Sequence, residues 1–369
     1  MSLPHACVLT TLAAALAAAP IAPPATAPAS PADAAADRSL DAALADLVES
    51  RGIPGLSVAV SHDGEIVYSK AFGRADLELD VPATPATRFG LGSITKPLTT
   101  ALCARLVDRG LLDLDAPVET YLPDFPYAGR GITVRLLAGH LSGYGDEFAT
   151  ARWLSNEHFA TTREAMVQIW TEPLIAEPGA EHHYANGTYT IIAGVIEKVC
   201  GMTFDEALAA HVLEPLAMRD TVSNDPTIIV PGRTSFYIQH EDGTIYEAPT
   251  FDPSHKQAAA GYLSTAEDLA RLGSAMLADC FLSSGSRRQL FTALKTTGGE
   301  DTGFGLGWRI ATDDEHGLMY HQPGGGPGIS TWICLLPDER LVIVALSNLT
   351  GAAVGNAINR AVEHFGQQP

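Results

Sequence analysis

Basic residues are scarce. Lysine and arginine number 23 against 43 aspartates and glutamates, a formal net charge of −20. Nucleic acids and anionic membranes are held by clustered cations, so this balance argues against both as partners and fits a chain kept soluble by its surface charge. Cysteine is scarce as well, at five. Cys7, Cys103, Cys200, Cys280 and Cys334 are scattered, none close enough for a C-x-x-C site, and their spacing points to small buried side chains. H-x-H-x-D and H-E-x-x-H spacings are missing, which argues against a metal-dependent hydrolase; no metal or other cofactor is expected. No apolar run beyond the first residues approaches the ~20 needed to span a membrane. What is present is an ordinary globular composition, 46% hydrophobic and 18% charged over 369 residues, enough for one large domain or two lobes.

The N-terminus is unlike the rest. An apolar stretch from Ala6 to Ala19 is followed by Pro/Ala-rich sequence with A-x-A steps at Ala25–Ala27 and Ala27–Ala29. Residues 1–36 read as a signal peptide and linker, which implies export to the periplasm or medium. No Lys or Arg precedes Arg38, so the alternative of an unprocessed tail on a cytoplasmic protein stays open. Pro4 stands three residues before Cys7, where a lipoprotein signal needs an apolar residue.

The pattern from Arg38 to Val48 puts Leu40, Leu44 and Leu47 on one helical face. Leu56, Val58 and Val60 then alternate, Asp63–Gly64 supplies a turn, and Ile66 and Tyr68 lie on the return strand. The other end mirrors this: two strands surround Pro337–Arg340, and Val354, Ile358, Val362 and Phe365 mark a closing helix. Between about 111 and 279 most segments read as helix and loop, one of them starting with Ser264 and Glu267 in capping-box spacing. The expectation is an α+β protein: an antiparallel sheet built from both chain ends (about 37–110 and 280–369), flanked by helices, with a mostly helical lobe inserted and a site in the cleft between.

"GLGSITKP", residues 90–97, places Ser93 and Lys96 one helical turn apart, because Ile94, Leu98, Leu102 and Leu106 recur at every fourth position until Gly110. Two readings compete. Ser93 caps the helix and Lys96 is a solvated charge; or the hydroxyl is a nucleophile at the positive end of a helix and the amine activates it. Tyr184-x-Asn186, just ahead of another helical pattern, adds a hydroxyl able to share the serine proton and an amide able to hold a substrate carbonyl. "YHQPGGGPGIST" then leads glycines into a strand, where an exposed N–H can complete an oxyanion hole.

These three elements in this order resemble the serine β-lactamase and penicillin-binding-protein superfamily. The likeness is to its class C-like branch of D-Ala-D-Ala carboxypeptidases, D-aminopeptidases and esterases, and runs from about Leu40 to Phe365. "RLLAGHLSG" and "SHKQAAAGYLSTAEDL" are most similar to LACTB-type proteins. The resemblance implies that Ser93 is acylated, that Lys96 and Tyr184 jointly carry its proton, and that Asn186 orients the substrate. The third motif departs from the family's His/Lys-x-Gly: without a gap, Gln322 stands in the place of the charge and Gly324 follows; with one inserted residue, His321 takes it. In the first alignment Pro323 replaces a hydroxyl residue, and the Gly325 N–H joins that of Ser93 in the oxyanion hole. Loss of donor and charge disfavours carboxylate-bearing substrates and points to an esterase or amidase acting on a small molecule or peptide. The alternative is a catalytically weak binding or self-assembling protein on the same fold.

Other candidates have plainer readings. His182 and His183 point to opposite sides of an extended chain, one packed and one solvated. His140 reads as a structural histidine at a helix end, Gly324–Gly328 lacks the lysine of a phosphate loop, and Trp170, Trp308 and Trp332 read as packing residues.

Overall fold

The computed structural model describes residues 31–313 and 316–366. Cys7 and the proposed export signal through Ser30 lie outside the described residues. Residues 31–36, expected as linker, begin helix α1 (Pro31–Ser50).

Three strands come from the first part of the chain: β1 (Gly55–His62), β2 (Glu65–Asp76) and β3 (Val81–Pro82). Four come from the last part: β4 (Arg309–Asp313), β5 (Gly317–Gly326), β6 (Ile329–Leu336) and β7 (Leu341–Ser347). They form one seven-stranded sheet in the order β3-β2-β1-β7-β6-β5-β4. The chain ends meet where β1 runs antiparallel to β7, from Leu56 opposite Ser347 to His62 opposite Leu341. The expected hairpin turn is there: Asp63 and Gly64 both have positive φ, 52° and 86°, the twist that suits two-residue hairpins.

Strand alternation gives the sheet two apolar faces. Leu56, Val58, Val60, Cys334, Ile343 and Ala345 face helix α1 and the closing helix, Val354–Phe365. Ala59, Ile333, Leu335, Val342 and Val344 face the larger core, which runs on into the helices of the middle of the chain. Each buried Leu, Ile or Val there stabilises by roughly 1.5–3 kcal/mol. Cys103 and Cys334 are buried in these cores as expected, and desolvation pushes both thiols up to about 12, whereas Cys200 is half-buried and Cys280 exposed, against that expectation.

Two expectations need correcting. The helix beginning near residue 264 is Ala266–Leu277, capped by Thr265, whose side chain accepts from the Asp268 N–H. Ser264 instead ends a short strand and its hydroxyl bonds Thr221 Oγ1 at 2.7 Å. The sheet pairing of Ser264 with Phe89 moves the cap one residue on. This helix, assigned by sequence to the inserted lobe, lies on the sheet: Ser274 meets Ser61 at 2.7 Å, and a Cβ on Gly273 would sit 2.5 Å from Val342. The middle of the chain also holds strands, among them Val222–Ser223 and the pair Tyr237–Gln239 with Ile245–Glu247.

Candidate active site

The "GLGS" stretch is tied to the glycines of β5. Thr331, on β6, donates its hydroxyl to the Leu91 carbonyl at 2.8 Å. A Cβ on Gly324 would stand 2.1 Å from that carbonyl oxygen and 2.2 Å from Thr331 Oγ1, so no other residue fits there. Gly92 has φ +53°, and a Cβ on it would meet the Gly325 nitrogen at 2.7 Å. Two backbones therefore run in contact because neither carries a side chain. Ser93 follows in a single 3₁₀ turn, Gly92–Ile94, which leads into helix α2, Thr95–Asp108.

Ser93 caps neither helix: the N-cap positions are Leu91 and Ile94, without side-chain caps. Ser93 is a partly exposed residue. Lys96 is not a solvated charge. It is fully buried, at 0% exposure, and its Nζ donates to three oxygens: Asn186 Oδ1 at 2.8 Å, Ser93 Oγ at 3.1 Å and the Ala259 carbonyl at 3.2 Å. All three ammonium donors are thus matched, as a buried lysine requires. The Tyr184 and Tyr189 rings close the remaining sides, 4.8 and 5.3 Å from Nζ.

Tyr184 and Asn186 arrive on the segment before helix α3 (Gly187–Cys200). His140 anchors that segment. It follows the short helix Val134–Ala138 at φ 60°, a left-handed residue at a helix end. Its carbonyl accepts the His183 N–H at 2.9 Å, and its Nδ1 accepts the Ala185 N–H at 3.2 Å. The ring lies 4.3 Å from that of Tyr184, centroid to centroid. Burial, with the Lys96 charge second, holds this imidazole well below its usual range, so it is neutral and serves as an acceptor. His182 packs its ring on Phe304, while His183 pairs with Glu181 at 2.9 Å, the division expected for that pair.

The alternatives for the third motif separate by strand alternation. Gln322, 1% exposed, points into the site and donates from Nε2 to the Tyr184 hydroxyl at 3.3 Å. His321 points through the opposite face, stacked on Trp332 at 5.5 Å. Burial, with Arg309 second, pushes its imidazole down to about 4. Sequence spacing left the two open because it does not say which face of β5 meets Ser93.

Asn186, expected to hold a substrate carbonyl, has protein partners at both ends of its amide. Its Oδ1 is taken by Lys96 and its Nδ2 donates to Asp146 Oδ2 at 2.7 Å. Asp146 carried no sequence signal, and neither did the Ala259 carbonyl. Lys256 was missed too: it is buried, its Nζ 4.0 Å from the Trp153 ring, and desolvation followed by the Lys96 charge pushes it down to about 8.

Beside this site Glu172 accepts the Phe148 N–H. Burial, opposed by that hydrogen bond and helped by Glu147 and Asp146, pushes its carboxyl up to about 7. Between 4.5 and about 7 the folded chain binds this proton more tightly than the unfolded chain, so the group's contribution to stability falls as pH rises through that window. Glu172→Gln, which keeps an acceptor, is expected to raise the melting temperature above the window and to change it little below. Thermal melts on both sides of the window check this.

With this geometry in view, the relatives are informative. The family profile described as "Beta-lactamase" matches residues 40–367. A penicillin-binding protein of Bacillus subtilis (strain 168) is 28% identical over 333 residues, covering 84% of this chain and 72% of its own length. The human mitochondrial serine beta-lactamase-like protein LACTB is 28% identical over 294 residues, 61% of this chain. The match takes in 54% of LACTB, so the chain spans about half of that relative. Among solved structures, the octameric penicillin-binding protein homologue from Pyrococcus abyssi superposes with a TM-score of 0.77 at 25% identity, over 90% of this chain and 78% of that one. A D-amino acid amidase from Ochrobactrum anthropi SV3 superposes at 0.79 over 89% of this chain and 99% of its own, with 21% identity, a likeness of fold. A profile match across nearly the whole described chain, with a mixed α/β fold to suit it, means that this protein belongs to the beta-lactamase family.

Proposed function

We propose that the protein is a serine hydrolase that cleaves an ester or amide through an acyl-enzyme. The observation that carries this is the buried Lys96 amine 3.1 Å from the hydroxyl of Ser93, a partly exposed residue. A lysine desolvated beside a hydroxyl is an activating arrangement, since the pair can pass a proton without solvent. Lys96 first releases one ammonium proton to solvent; Ser93 Oγ then attacks the substrate carbonyl and its proton passes to the free amine of the Lys96–Tyr184 pair. The negative charge that forms on the carbonyl oxygen falls to the N–H groups of Ser93 and Gly325; the Gly325 backbone lies against Gly92, the residue before Ser93. The tetrahedral species then collapses: the carbonyl re-forms, the bond to the leaving alcohol or amine breaks, and the pair returns the proton to it. Water hydrolyses the acyl-serine by the same steps.

Gln322 supports a neutral substrate at this end of the cleft. An amide stands where the family resemblance implies a His or Lys, and Pro323 supplies neither hydroxyl nor N–H. Esters and D-amino-acid amides are therefore expected to outperform carboxylate-bearing β-lactams. A panel of p-nitrophenyl acetate, a D-amino-acid amide and nitrocefin, run with wild type and Ser93→Ala, tests the proposal. Turnover of the first or second that disappears in Ser93→Ala supports it. Equal turnover by Ser93→Ala, or none by wild type on any of the three, overturns it and favours a binding or self-assembling protein.

The two third-motif residues should behave differently. Gln322→Ala removes the donor to Tyr184 and is expected to lower kcat/KM by about tenfold or more. His321→Ala, on the far face of β5, should leave kcat/KM within about threefold while lowering the melting temperature, because the contact with Trp332 is lost. Steady-state kinetics beside thermal melts separate the two.

A further inference from the structure

Lys96 lacks a carboxylate among its three hydrogen-bond partners, and the chain of contacts leading away from it ends at one. Lys96 Nζ donates to Asn186 Oδ1 at 2.8 Å, and Asn186 Nδ2 donates to Asp146 Oδ2 at 2.7 Å. The other carboxylate oxygen, Oδ1, accepts the backbone N–H of Asn186 at 2.7 Å and of Gly187 at 3.1 Å. Asp146 lies 40 residues from Asn186 in sequence, on the loop before the short helix Glu147–Ala151. A primary amide has a donor end and an acceptor end of nearly equal size, so its own shape does not choose between two orientations. A carboxylate accepts only. Facing one, the amide must present its NH2 to Asp146, which turns its carbonyl to Lys96.

Building on the acyl-enzyme reading, we infer that Asp146 is a positioning residue for the Ser93 centre: its carboxylate fixes the orientation of the Asn186 amide, and through it the place of the Lys96 amine. The plainer role is that of a cap. Asp146 Oδ1 satisfies two N–H groups at the start of helix α3, and the helix dipole favours a carboxylate there. The cap uses Oδ1 and the positioning contact uses Oδ2, so substitutions can part them.

Asp146→Asn keeps an oxygen for the two backbone N–H groups. It places an NH2 opposite Asn186, which then turns its carbonyl toward residue 146 and its NH2 toward Lys96, donor against donor. Asn186→Asp sets two carboxylates face to face. The double variant restores one donor and one acceptor at each contact, with a carboxylate now facing Lys96. Each single variant is expected to be phosphonylated at Ser93 by a fluorophosphonate, fluoride leaving, and to turn over p-nitrophenyl acetate, on the order of 10- to 100-fold more slowly. KM should change less than kcat. Asp146→Asn/Asn186→Asp should recover most of the lost rate, a coupling that a cap alone does not produce. Far-ultraviolet circular dichroism and melting temperatures report whether helix α3 survives in each.

Asp146→Asn labelling Ser93 at the wild-type rate, or the two losses simply multiplying in the double variant, overturns the inference and leaves Asp146 as a cap. Wild type that is not labelled at Ser93 defeats the acyl-enzyme reading itself, a failure distinct from wild type labelled and Asp146→Asn unaffected.

Discussion

Lys96→Met should lower kcat/KM for p-nitrophenyl acetate on the order of 10³-fold while the protein stays folded. Methionine nearly matches the length of the lysine stem but neither accepts nor donates the serine proton, and removing a positioned base costs roughly 10²–10⁴ in rate. The fold has reason to survive. Substitution strands the Asn186 and Ala259 oxygens, at about 1–3 kcal/mol each, but it also removes a charge held at 0% exposure, and exchanging buried charge for apolar volume is often neutral. A melting temperature within a few degrees of wild type, with activity lost, would place the defect in the chemistry. A surface lysine of the kind the sequence alone allowed would show neither a rate loss nor a stability change.

Gly92→Ala is expected to damage both fold and rate. The new Cβ would stand 2.7 Å from the Gly325 nitrogen and 2.8 Å from its oxygen. Those are backbone atoms of a strand that β6 pairs at this point, Gly325 opposite Ser330, so neither swings away as a side chain would. The residue also needs φ +53°, which costs an L-amino acid about 1–2 kcal/mol before any contact is counted. Together these predict a loss of about 2–4 kcal/mol in unfolding free energy. Relief requires the turn bearing Ser93 to lift from the strand bearing Gly325, which separates the two N–H groups proposed to stabilise the oxyanion. The remaining folded enzyme should be slower on the order of 10²-fold. Gly325→Ala is the control for stability: a Cβ there has nothing within 4 Å, and chemical denaturation should show it unchanged. Equal stability of Gly92→Ala and wild type would contradict the packing described between these backbones.

Much of this was legible in the residues. Alternation at Leu56, Val58 and Val60, and the turn at Asp63–Gly64, announced the first hairpin, because a strand buried on one face repeats every second residue. The fourfold recurrence of Ile94, Leu98, Leu102 and Leu106 placed Ser93 and Lys96 on one side of a helix start, where the structure has them. What sequence left open depended on contacts made across the fold. Whether Lys96 is buried depends on Ala259 and Asn186, far along the chain. Whether His321 or Gln322 reaches the site depends on which face of β5 lies toward Gly92. Asp146 had no periodic or motif signal, since its partners are the two N–H groups and one amide that helix α3 brings to it. Ser264 misled for a related reason: capping-box spacing is local, and a distant strand had already claimed that residue.

The central claim is that Ser93 becomes acylated with the help of Lys96. Incubating the protein with a fluorophosphonate and mapping the adduct by peptide mass spectrometry tests it most directly. The account predicts a single adduct on the peptide containing Ser93, absent in Ser93→Ala and slowed on the order of 10³-fold in Lys96→Met. No adduct on wild type, or equal labelling of Ser93→Ala, would contradict it.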